Sequence, residues 1–183
     1  LVNAARWLVS NQVSKDCDWN VKVPHAEPGG WYFQFENEFY PDNDDTAVVL
    51  LALAKVTVPE EQFKRGEMIR GLKWLLAMQC KDGGWGAFDG NNNKVIFNQI
   101  PFADHGALLD PSACDLAGRV LEAVGVMGYD ISFPPAAAAI RFIRRNQERE
   151  GCWYGRWGVN YLYGTWSVLA GLSAIGEDME QAY

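Results

Sequence analysis

Apolar positions along this chain fall into two kinds of run. One recurs every three or four residues, as in Leu72, Leu75 and Leu76, which is the spacing of a one-sided helix. The other is nearly unbroken: Ala47 to Ala54 contains no polar residue, and comparably apolar stretches lie near 111–127 and 164–175. The two kinds alternate, and the one-sided runs resemble one another. ARWLVSNQVSKDCDW (5–19), GLKWLLAMQCKDGGW (71–85) and IRFIRRNQEREGCW (140–153) each place an aromatic five positions before a Gln, in the pairs Trp7/Gln12, Trp74/Gln79 and Phe142/Gln147. A Trp follows six or seven positions later, at Trp19, Trp85 and Trp153, and the Gln residues stand 67 and 68 positions apart. A fixed period of this kind marks a repeated helix, turn and returning Trp.

After each returning Trp comes an irregular Gly- and aromatic-rich stretch, then the apolar helix, expected near 44–56, 111–127 and 164–175. Pro111, directly after Asp110, suits the first turn of the second of these. Only an inner helix is buried on most of its faces, so amphipathic helices alternating with apolar ones predict two concentric layers. The expected fold is all-α: one unit spanning 1–183 that forms an incomplete portion of an α/α barrel. Within it the Gln and Trp would tie the end of an outer helix to the next loop, indole stacked on amide. The chain starts at Leu1 and LVNAARWLVSNQ looks like the interior of a helix, which predicts a segment of a longer protein.

Composition then removes several function classes. At 49% hydrophobic and 21% charged residues the chain is globular, and its net charge of -7 with no basic run excludes a nucleic-acid binder. Cys17, Cys80, Cys114 and Cys152 are far apart with no CxxC pair, which predicts reduced thiols in an intracellular setting. The apolar stretches fall short of the ~20 residues that span a bilayer, so membrane contact would be superficial. His25 and His105 lack partners at ligand spacing, and DGNNNK (89–94) puts Lys94 where a calcium loop needs Gly and Ile100 where it needs Glu, so no metal is implied.

Against the apolar run of 47–54 stands YPDNDDTA (40–47), with Asp42, Asp44 and Asp45 inside four positions. One Asp suffices to cap a helix, and Asp45 is a candidate for that role. Three crowded carboxylates cannot all ionise without repulsion, so one is expected to keep its proton near neutral pH.

The three Gln/Trp repeats, YPDNDDTAVV, GGWYFQF (29–35), GGWGAFD (83–89) and WYGRWGVNYLYGTW (153–166) together resemble the triterpene cyclase family, the bacterial squalene-hopene branch in particular, nearly end to end. The resemblance implies an isomerase of hopanoid biosynthesis that cyclises squalene to hopene or hopanol by protonation. It also implies no cofactor, a monotopic attachment to the cytoplasmic face of the bacterial inner membrane, and a full-length protein compatible with a homodimer. Asp44 would be the proton donor, tuned by Asp42 and Asp45. Phe33, Phe88, Trp157 and Tyr163 match cavity aromatics, although relatives carry Tyr at the place of Phe88. Phe102 and Ala103 match a substrate-channel constriction. Arg119 departs from the pattern, since some members place a His there beside the acids. Asp115 joins the acid group on that reading, while the plain alternative is an Asp115–Arg119 helix pair at i, i+4.

Three other readings compete. Class II diterpene cyclases carry a similar acid motif but not the repeats together with GRWGVNYLYG. An inverting α/α-barrel carbohydrate enzyme needs carboxyls ~6.5–9.5 Å apart across a substrate, unlike neighbours such as Asp44 and Asp45. A non-catalytic helical scaffold leaves the acid run unexplained.

Overall fold

The computed structural model describes residues 1–57, 61–92, 94, 96, 99–100, 109–158 and 160–180. Among these residues six α-helices carry the fold: α1 (Val2–Ser10), α2 (Asn43–Lys55), α3 (Glu61–Ala77), α4 (Cys114–Val126), α5 (Pro134–Arg145) and α6 (Asn160–Ala174). A short 3-10 turn, Asp18–Val21, interrupts the first long connection. Among the described residues extended pairing is limited to two isolated bridges, Trp31 with Asp42 and Trp85 with Ala113.

The layers follow from the apolar pattern. The three apolar helices lie side by side, α4 between α2 and α6, while α3 and α5 pack outside them and α1 packs against α3. As the middle inner helix, α4 buries residues on all sides, from Cys114 and Asp115 to Ala123 and Val124. It meets α6 through glycine: a Cβ on Gly118 or Gly171 would collide with the facing backbone, and one on Gly125 with Ala174. Either side chain at these positions would push two inner helices apart.

The Gln of each repeat works as a tie. Gln12 donates through Nε2 to Gly29 O and Glu67 O, and Gln79 donates to Gly83 O and Pro135 O, so each joins its own turn to the following outer helix. Gln147 donates to Gly151 O. The Trp does its part by hydrogen bonding: Trp85 Nε1 reaches Leu75 O at 2.8 Å and Trp153 Nε1 reaches Ile143 O at 2.9 Å.

In the first repeat the returning Trp is not Trp19. Trp31 Nε1 donates back to Leu8 O at 2.7 Å, and Val13 N donates to Gly30 O just as Cys80 N does to Gly84 O. Gly29, Gly30 and Trp31 therefore take the places of Gly83, Gly84 and Trp85, and the long stretch 14–28 stands where the second repeat has only residues 81–82. Trp19 instead packs edge-on against Trp74, ring centroids 5.8 Å apart, and is buried there. Pro111 differs from expectation too. The helix begins at Cys114 because Ala113 N donates to Trp85 O, which holds the preceding residues extended. Among the described residues the prolines that open a helix are Pro134 and Pro135 of α5.

Candidate functional site

The first turn of α2 is built by Asp42. Its extended backbone and its carboxyl oxygen, which accepts Asp45 N–H at 2.7 Å, make it the N-cap, a role for which Asp45 was the candidate. Thr46 Oγ1 donates to Asp42 O at 2.6 Å and accepts Trp31 N–H at 2.9 Å, locking the turn to the Trp31 loop. Asn43, fully buried, donates its N–H to Ala87 O and its side-chain amide to Gly86 O, at 2.7 and 2.8 Å. The acid cluster is thus pinned between the loops that carry Phe33 and Phe88.

Asp44 is left over from this construction. A third of its side chain is exposed, yet Oδ1 is buried without a hydrogen bond, and the nearest cation is Arg119 of α4, Nε to Oδ1 3.9 Å. Arg119 also donates to Tyr163 Oη at 2.6 Å, and its guanidinium lies 5.8 Å from the Tyr163 ring centroid and 5.3 Å from that of Trp166. Its ion-pair partner among the described residues is Asp44 and not Asp115. Asp115 has other duties: Oδ2 accepts Trp157 N–H and Oδ1 accepts Leu116 N–H, both at 3.1 Å, and it is 2% exposed.

Burial sets the proton balance. Loss of solvent, followed by the neighbouring Asp45 carboxyl, pushes Asp42 up to about 9. Asp44 is also raised by burial; Arg119 opposes this, and Asp45 and Asp115 add to it. Asp115 rises by burial against the pull of several backbone N–H groups, chiefly that of Trp157. The Tyr163 hydroxyl is raised by burial and then by Asp44. The site therefore favours protonated acids beside one fixed cation.

Asp42, Asp44, Asp45, Asp115, Arg119 and Tyr163 thus meet at one end of the inner helices. Phe33, Phe88 and Trp157 lie on loops fastened to that end, with 74%, 41% and 40% of their surfaces exposed. Phe102 and Ala103 fall outside the described residues. Spacing missed Trp166, although it sits three residues beyond Tyr163 on the same helix face, and it missed the buried pair of Asp110 with Arg156, Nε to Oδ1 2.8 Å. Among the described residues no group of three His, Cys, Asp or Glu is placed to hold a metal ion. What the arrangement offers is a partly buried acid whose proton affinity is raised by burial, with a guanidinium behind it that itself lies against the Tyr163 and Trp166 rings.

The chain belongs to the squalene-hopene cyclase C-terminal domain family, which it matches over residues 1–183. It is 46% identical over 176 residues to the squalene-hopene cyclase of Alicyclobacillus acidocaldarius, covering 96% of this chain and 28% of the relative. It is 45% identical over 174 residues to that of Schizosaccharomyces japonicus, covering 94% and 26%, and 47% identical over 184 residues to the dammaradiene synthase of Dryopteris crassirhizoma, covering 96% and 27%. The chain spans about a quarter of the length of these curated relatives.

Proposed function

We propose that residues 1–183 are the acid-bearing part of a class II triterpene cyclase that converts squalene to hopene or hopanol. The observation that carries this reading is Asp44: a carboxyl raised by burial, with a buried oxygen free of hydrogen bonds and Arg119 behind it. The π electrons of the terminal double bond take the Asp44 proton, forming a C–H bond and leaving a tertiary carbocation and the Asp44 carboxylate. That carboxylate is then held by Arg119 and by the positive N-terminal end of α2, where Asp44 occupies the first turn. Asp42 stays protonated beside it and adds no second charge.

A positioned acid contributes only ~10²–10⁴-fold, so cation stabilisation must supply the rest. Aromatic faces provide it, at ~2 kcal/mol per desolvated contact, without a lone pair that would trap the cation. Phe33, Phe88, Trp157 and Tyr163 are assigned to this role, and Phe102 and Ala103 to the channel through which the substrate arrives. Squalene is insoluble in water, so the full-length protein takes it from a membrane surface on which it sits monotopically. Among the described residues no helix is long and apolar enough to cross a bilayer.

The test is incubation of the full-length protein with squalene and identification of the products by mass spectrometry. Pentacyclic product from the parent and none from Asp44→Asn is the expected outcome. Unconverted squalene with the parent, or turnover by Asp44→Asn, overturns the assignment.

A further inference from the structure

Two aromatic-bearing loops reach the acid end, and one buried ion pair ties them together. Asp110 is 6% exposed, and its Oδ2 accepts the N–H of Ala87, the residue before Phe88. Its Oδ1 faces Arg156 Nε at 2.8 Å. Arg156 in turn donates to Leu109 O at 3.2 Å and lays its guanidinium over the Trp157 ring, 5.5 Å from the centroid. The backbone on either side is also fixed: Trp157 N–H goes to Asp115 Oδ2 at 3.1 Å, and Ala87 O takes Asn43 N–H at 2.7 Å, inside the acid cluster. A buried ion pair is poor at raising stability, because desolvation offsets most of the Coulomb attraction. Its location between two aromatic loops therefore calls for a different explanation.

The chemistry of Trp157 supplies one. A guanidinium over one face fixes the ring plane and leaves only the other face for a second cation. An unpaired Arg on the first face would repel that second cation. Paired with Asp110, it orients the ring without doing so. We propose that Asp110 and Arg156 form a positioning pair: Arg156 sets the plane of Trp157, and Asp110 neutralises Arg156 so that the open face of Trp157 stays attractive to a carbocation. Through Ala87 the same carboxylate fixes the Phe88 loop against the turn that carries Asp44. The inference rests on the cyclase reading above.

The experiment compares full-length parent, Asp110→Asn, Arg156→Lys and the double variant Asp110→Asn/Arg156→Gln for kcat, KM, product distribution and melting temperature. Asp110→Asn leaves a cation unpaired beside the ring, and kcat is expected to fall on the order of a hundredfold with KM little changed and less-cyclised products accumulating. The double variant removes the surplus charge and is expected to recover about tenfold of that loss. Arg156→Lys keeps the charge but not the planar stack, so it shifts the product distribution at an unchanged melting temperature. Should Asp110→Asn fail to fold, Arg156→Lys decides alone. The proposal is overturned if Arg156→Lys gives the parental products at the parental rate, or if the double variant is no faster than a folded Asp110→Asn. A parent that leaves squalene untouched refutes the cyclase reading itself, a result distinct from either of these.

Discussion

The first turns of α2 and α4 occupy the same register and do different work. Trp31 bridges to Asp42 and Trp85 to Ala113, so Asp44 and Asp115 each stand two residues past the bridge partner. The third repeat has a counterpart: Trp153 N donates to Thr165 Oγ1 as Trp31 N does to Thr46 Oγ1, which puts Tyr163 in the place of Asp44. The repeat thus aims Asp44, Asp115 and Tyr163 at one spot, with Arg119 among them. Only the partners differ. Both oxygens of Asp115 accept backbone N–H groups, whereas Asp44 Oδ1 accepts no hydrogen bond and has Arg119 as its ion-pair partner among the described residues. At Asp115 backbone donors oppose the upward push of burial, whereas Asp44 Oδ1 accepts no hydrogen bond and Arg119 alone supplies the opposing pull there. Position in the repeat decides where a side chain points, and its neighbours decide what it does there.

The largest effect expected from this contrast is at Asp44. In the full-length protein Asp44→Asn should lower squalene turnover by ~10²–10⁴-fold or more, since the amide keeps the shape but has no acidic proton. The melting temperature should hold, because no hydrogen bond to Oδ1 is lost. Asp115→Ala should reverse the pattern, removing the acceptor for Trp157 N–H and destabilising the fold by about 1–3 kcal/mol. Thermal melts beside turnover assays separate the two. A stable, inactive Asp115→Asn paired with an active Asp44→Asn would exchange their roles.

A third expectation sharpens the comparison from the cation's side. Arg119 stabilises the carboxylate that forms when Asp44 gives up its proton, and Arg119→Ala should slow turnover by about ten- to a hundredfold. A His in its place helps only while protonated, near and below ~6.5, whereas an arginine side chain keeps its charge. Arg119→His should therefore recover activity chiefly at acidic pH, with the alkaline limb of the rate profile displaced downward. Equal rates for Arg119→Ala and parent from about pH 5 to 8 would remove Arg119 from the proton step.

Much of this was legible in the chain and some could not be. The inner helices announce themselves because burial on every side demands an unbroken apolar run, and α2 at Asn43–Lys55 lies within a residue of the expected 44–56. The start of α4 was misjudged because a local preference of Pro111 loses to pairing of Ala113 with Trp85, the returning Trp that precedes this helix. The first returning Trp was misassigned for a related reason: Trp19 keeps the sequence spacing, but the long stretch 14–28 moves the hydrogen-bonding role to Trp31. At the site, the crowded carboxylates were visible, whereas the identity of the cap was not, because it depends on which Asp adopts an extended backbone. The Arg119–Asp44 and Asp110–Arg156 contacts join separate elements, and no helical or strand period relates their positions.

The smallest expected effect is at the cap, and it concerns stability. Asp42 is held protonated up to about 9 in the folded protein, against a reference of ~3.9 for an unfolded chain. Between those values the folded state binds more protons than the unfolded state, so the slope of unfolding free energy with pH is negative. The contribution of Asp42 is fully present below the unfolded value, declines as pH rises and is lost once pH passes the folded one. Asp42→Asn carries no titrating proton and is itself a good N-cap, so it should flatten that decline at little loss elsewhere. Asp42→Ala should flatten it too, but from a level lower by about 1 kcal/mol, since Asp45 N–H loses its acceptor. Melting temperatures of the three full-length proteins at pH 5, 7 and 9 test this. Parallel curves for Asp42 and Asn would mean that Asp42 ionises freely in the fold, and the acid end would then hold a second negative charge that the contrast between Asp44 and Asp115 does not allow for.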